Sequence, residues 1–146
     1  MRIAVILLPL ALAACDDPGS DPRLALCVSA ARQAATSRGS VKMVHFEATP
    51  KNLKEAASVG GKALMDIEAA NSYGGKRDAS AVCEFAPHPM AAYKGRFLLT
   101  SAVIGTIRLT DQQLADANAL DGTSRSVFDA MTAAEMLRAE KAAAPK

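Results

Sequence analysis

Read as apolar and polar positions, the chain opens with a continuous apolar run and then settles into helical and strand periods. Ile3 to Leu12 is almost wholly apolar. From residue 21 the period is helical: Leu24, Cys27, Val28, Ala31 and Ala35 share one face, while Arg32 and Arg38 point elsewhere. Asp21 is suited to the N-cap, Pro22 to the first helical position and Gly39 to the stop. Cys27 therefore belongs to the buried stripe of this first helix.

Beyond Gly39 the period shortens to two. Val44 and Phe46 alternate with Met43, His45 and Glu47, which predicts a half-buried strand ending at Thr49-Pro50. Lys51 to Ser58 fits a short helix or a long loop, and Gly60-Gly61 closes it. Ala63, Met65, Ile67 and Ala69 then alternate with Leu64, Asp66 and Glu68. After the turn cluster Asn71-Ser72-Tyr73-Gly74-Gly75, Ala81, Cys83 and Phe85 oppose Ser80, Val82 and Glu84. Pro87-His88-Pro89 begins an exposed loop. Phe97 to Ile104 predicts a fourth strand, with Ile107-Arg108-Leu109 a short piece after the turn at Gly105-Thr106.

Thr110-Asp111-Gln112-Gln113 fits a capping box that opens a helix to about Leu120, which Asp121-Gly122 breaks. Val127, Met131, Ala134 and Leu137 mark a last amphipathic helix, with residues 142–146 a disordered tail. This order predicts an α+β domain over residues 21–141: an N-terminal helix packed on an antiparallel sheet of about four strands, followed by C-terminal helices.

The opening run changes the picture of where this domain works. Arg2, the apolar stretch and the small residues Ala13-Ala14 follow the order of a secretory signal. About ten apolar residues are too few to span a ~30 Å hydrocarbon core. Leu12-Ala13-Ala14-Cys15 resembles the lipobox of bacterial lipoproteins. That resemblance implies cleavage after residue 14, a diacylglyceryl group on Cys15, and residues 15–20 as a polar tether. Two or more acyl chains anchor stably where one does not. The domain is then expected at the bacterial cell membrane, facing the periplasm. In enteric lipoproteins Asp16 after the cysteine favours the inner membrane; the rule differs between lineages, so inner and outer membrane both stay open.

Lipidation leaves Cys27 and Cys83, and two cysteines in an oxidising compartment pair by default. Cys83 lies on the inward face of its strand and Cys27 on the inward stripe of its helix, so a disulfide would tie helix to sheet. Such a staple matters because the chain beyond Cys15 holds only 24 Leu, Ile, Val and Phe residues but 27 alanines.

Charge excludes some partners. The chain carries 17 Lys and Arg against 15 Asp and Glu, without a basic cluster, which leaves no electrostatic footprint for nucleic acid. The segment from Ile67 to Phe85, with its Ala-x-Asn-x-aromatic-Gly turn and Cys-x-Phe strand, also resembles uncharacterised proteobacterial envelope proteins. That resemblance implies a domain family and no activity.

Candidate chemistry is sparse. His45 and Glu47 share the polar face of the first strand and His88 sits between two prolines; together they could form a metal pair or a general base with a carboxylate partner. Read blandly, they are surface side chains, since neither histidine has metal-motif spacing. Asp66 and Glu68 could form a carboxylate pair or simply solvate the sheet. No serine lies in Gly-x-Ser-x-Gly, and no glycine pair precedes the Lys-Ser/Thr of a phosphate loop. Tyr73 and Tyr93, in expected loops, are candidate recognition residues or packing lids.

Two functions follow. The first is a non-catalytic binding or assembly lipoprotein without cofactor or metal, held to the membrane by Cys15 and contacting an envelope protein. Its contact surfaces would be the Asn71–Arg77 turn, the Pro87–Arg96 loop and the outer face of the last helix. The alternative is a small periplasmic hydrolase or metal-binding protein using His45, Glu47 and His88.

Overall fold

A computed structural model describes residues 20–35, 41–70 and 75–145. The expected signal segment, Cys15 with the expected tether through Gly19, Gly39 and Tyr73 lie outside them. Ten elements follow in order: α1 (Pro22–Ala34), β1 (Val41–Thr49), α2 (Leu53–Val59), β2 (Gly61–Ala70), β3 (Lys76–Pro87), a 3-10 turn (Ala91–Tyr93), β4 (Phe97–Ile104), β5 (Ile107–Arg108), α3 (Asp111–Leu120) and α4 (Val127–Ala143). The class is α+β as expected. The sheet has five strands rather than four, a purely antiparallel meander in the order β1-β2-β3-β4-β5. The extra strand is the two-residue piece Ile107–Arg108, which pairs with Val103 and Ile104.

The helix starts obey the local chemistry. Asp21 accepts the Arg23 N–H at 2.9 Å, Asn52 caps α2, Thr110 and Gln113 form the reciprocal capping box of α3, and Ser126 caps α4. Lys51 to Ser58 thus resolves mostly into helix. Two ends differ from expectation. α1 stops at Ala34, where Ala35 turns extended, well before Gly39. α4 continues through Ala142 and Ala143, because alanine is the best helix former and nothing halts the turn before Pro145.

Sheet register explains how so few large apolar residues make a core. Ala48 pairs with Ala63, Ala63 with Cys83, and Cys83 with Ala102, so one row across four strands carries only small side chains. All four residues are buried. This row forms a shallow valley on the inward face, and α1 presents Cys27, Ala30 and Ala31, equally buried, to the core. Of the 23 buried apolar residues described, eleven are alanine. The alanines bring backbones close instead of filling space, while Phe46, Met65, Ile67, Phe85, Leu99 and Ile104 supply volume beside the valley.

Close approach also accounts for the glycine pair. A Cβ on Gly60 would sit 2.3 Å from the Phe85 carbonyl oxygen, and one on Gly61 2.5 Å from that of Thr49. Gly60 further holds a positive φ of 79°, open to glycine at little cost.

The first strand corrects one expectation. Val44 does not share the inward face with Phe46; it is 64% exposed. The pairing of β1 with β2 shifts between Met43 and His45, so Val44 is the extra residue of a β-bulge. The bulge puts Val44 and His45 both outward, and Val41 and Met43 take the inward positions before it. A second irregularity, at Thr100, displaces β4 against β3. There Leu98 and Leu99 are both buried although neighbours on a strand face opposite ways. That end of the sheet is covered on both faces, with α3 and α4 packed on β4.

Candidate functional site

Cys27 and Cys83 form the disulfide, with Cα atoms 5.9 Å apart and both residues at zero exposure. Cys83 stands between Ala63 and Ala102 in the alanine row, facing Cys27 of α1. Within the usual Cα range, the bridge needs no large side chain moved aside.

The densest polar cluster lies at the joint between the β3–β4 connection and the α3–α4 connection. It overturns the expectation for His88 and decides between the two readings of Tyr93. His88 is not a surface imidazole in an exposed loop but only 7% exposed. Tyr93 is not an exposed recognition residue but a packing lid at 6%. Its ring tilts over His88 with centroids 4.4 Å apart, and its hydroxyl donates to Asp129 Oδ2 at 2.7 Å while accepting from the Arg125 N–H at 3.0 Å. Arg96 reaches the Gly122 carbonyl at 2.6 Å. The α3–α4 connection thus covers the loop from residues about thirty positions downstream, a burial that local pattern did not contain.

His88 itself is held at both ring nitrogens. The Met90 N–H donates to Nδ1 at 3.3 Å, so the neutral ring carries its proton on Nε2 and donates it to Ser124 Oγ at 3.1 Å. Burial lowers the His88 pKa; the Asp129 carboxylate opposes this and Arg96 adds to it. Burial likewise raises the Asp121 pKa, against a hydrogen bond from Thr123 and the charge of Arg96. Activating Ser124 as a nucleophile would need Nε2 to accept its proton. Here Nε2 donates, and Ser124 is 1% exposed. The cluster is chemically a clasp between two connections.

No family model, curated protein or solved structure matches the chain. Both resemblances of the sequence therefore rest on their own residues.

The remaining candidates lie apart. His45 and Glu47 are exposed on β1. His45 pairs with Asp66, and Asp66 with Ser80, so His45 is level with a β3 position eight residues before His88, roughly 25 Å along the strand direction. The structure does not bring the two histidines together. Asp66 accepts from Ser80 at 2.9 Å, and Glu68 binds Lys76 at 2.9 Å, which lowers the Glu68 pKa and raises that of Lys76. These carboxylates serve cross-strand pairs on the solvent face. Among the described residues no group of three or more His, Cys, Asp or Glu could hold a metal.

Arg23 escaped sequence reasoning. It is fully buried, binds Asp21 through two nitrogens at 2.8 and 3.0 Å, donates to the Pro50 carbonyl at 2.8 Å and lies over the Phe97 ring. The only local signal was its place two residues after an N-capping aspartate.

One cleft of about 430 Å³ opens between α3, α4 and β4. Leu99, Leu114 and Met131 help form its apolar wall, and the Asp111–Arg138 ion pair at 2.8 Å bridges the two helices at its rim.

Proposed function

We propose that the chain is an exported lipoprotein, anchored through Cys15 on the periplasmic side of a bacterial membrane, and that its domain binds another envelope protein without catalysing a reaction. The observation that carries this reading is the buried Cys27–Cys83 disulfide. A structural disulfide persists where thiols are oxidised, outside the reducing cytosol, and export is what the signal segment and the lipobox resemblance independently imply.

The binding role is supported by how the domain uses its polar residues. His88 bonds Ser124, the Tyr93 ring lies over His88 while its hydroxyl bonds Asp129 and the Arg125 N–H, and together they hold two connections. The Pro87–Arg96 loop, one of the surfaces expected to meet a partner, is thereby joined to the first turn of α4. Leu120 and Phe128, 72% and 76% exposed, flank the α3–α4 connection at that end. Large apolar side chains exposed near a polar joint fit a protein contact. The reading through His45, Glu47 and His88 has no such support.

The test is site-specific photo-crosslinking in a bacterial host with an envelope, from position 128 of the full-length chain, beside Cys15→Ala. Expected are a discrete adduct with an envelope protein and an acyl-modified N-terminal peptide by mass spectrometry. An unmodified precursor retained in the cytosol with free thiols would sink the proposal.

A further inference from the structure

β1 is an edge strand: among the described residues it pairs with β2 alone. Edge strands present unpaired N–H and C=O groups, and proteins blunt them with charges and bulges. β1 has both, yet their arrangement is self-complementary. Because of the bulge, Lys42, Val44, His45 and Glu47 all face solvent, while Val41, Met43 and Phe46 are half-buried and Ala48 buried on the inward face.

Consider a second β1 laid antiparallel along this edge, with a twofold axis between Val44 and His45. Lys42 then stands opposite Glu47 of the copy, Met43 opposite Phe46, and Val41 opposite Ala48, each pair repeated by symmetry. On a regular strand this register would set every inward residue against an outward one, because side chains alternate. The bulge at the axis removes that offset in both copies. The charges are also available. Lys62–Glu84 and Lys76–Glu68 engage the neighbouring carboxylates and ammoniums, and neither Lys42 nor Glu47 forms an ion pair among the described residues. Lys42 faces Glu68 across the sheet, but Lys76 already holds that carboxylate.

We propose that β1 pairs antiparallel with β1 of a second copy in this register, joining two five-stranded sheets into one of ten across an isologous interface. The pairing covers the half-exposed Val41, Met43 and Phe46 and places opposite charges directly across from each other, the favourable arrangement in an antiparallel ladder.

Two differently tagged full-length chains, Lys42→Cys and Glu47→Cys, are co-expressed and oxidised in the membrane. Directly opposed residues lie about 4.5–5.5 Å apart at Cα, within disulfide reach. The mixed dimer is expected, and homotypic dimers through either position are not, because like positions lie roughly 16 Å apart along the strand. In detergent, Lys42→Glu or Glu47→Lys alone should weaken sedimentation-detected dimers at least about tenfold, and Lys42→Glu/Glu47→Lys should restore them. A monomeric wild type, homotypic crosslinks as strong as the mixed one, single reversals without effect, or a double reversal no better than the singles would each overturn the pairing.

Discussion

The Tyr93 hydroxyl meets the Asp129 carboxylate at 2.7 Å across 36 residues of sequence, and the same oxygen accepts the Arg125 N–H. One phenol thus ties the β3–β4 connection to the first turn of α4. Tyr93→Phe removes both bonds while keeping the ring over His88. Hydrogen bonds to charged groups contribute about 1.5–3 kcal/mol, so a loss of about 2 kcal/mol is expected in urea unfolding. With Asp129→Asn added, the double mutant should lose less than the sum of the two single changes; strict additivity would show that the pair is not coupled.

The Cys27–Cys83 bridge closes a loop with a sequence separation of 56. The chain-entropy model assigns about 4 kcal/mol to such a loop, an upper figure. Cys27→Ala/Cys83→Ala should lower the denaturant midpoint strongly and leave the oxidised and reduced forms of the variant identical. A wild type whose midpoint ignores reductant would contradict this.

Acidification should weaken the domain through His88. Its folded pKa lies below the ordinary value of 6.5, so between the two values the unfolded chain binds more protons and stability rises with pH. The contribution is complete above about 6.5 and is lost as pH falls towards the folded pKa. Protonation also turns Nδ1 into a donor facing the Met90 N–H. Asp121 acts oppositely: its raised pKa favours the folded state below 3.8, an advantage lost as pH rises through its folded value. Thermal scans from pH 7.5 to 5 should show melting fall in wild type and flatten in His88→Gln. An unchanged slope in the variant would assign the dependence elsewhere.

Arg23 and Asp21 should respond unequally. Asp21→Ala leaves a buried guanidinium without its carboxylate and removes the α1 cap, for a loss of about 3 kcal/mol or more. Arg23→Met leaves Asp21 partly exposed and still capping, and should cost less. Equal losses by chemical denaturation would mean that the pair matters only as packing.

Much of the fold was legible because its cause is local. Strand parity at Met65, Ile67, Ala81, Cys83 and Phe85 follows from a period of two. The starts of α1 and α3 follow from the Asp21 cap and the Thr110–Gln113 capping box, and α1 and β3 each displayed an inward cysteine. The alanine count read as a thin core, because composition cannot tell an empty interior from a closely approached one. Register decided that, by stacking Ala48, Ala63, Cys83 and Ala102 in one row.

The sequence alone determined most of the elements, though not α2 or the fifth strand, which way most strand residues face and which cysteines can meet. Tertiary structure decided that Val44 faces water, that His88 and Tyr93 are buried and that Arg23 needs Asp21 beneath the surface. Periodicity reports how a residue sits relative to its own neighbours, whereas the cover over His88 comes from Ser124 and the α3–α4 connection. Burial by a distant segment leaves no mark on the local pattern it covers.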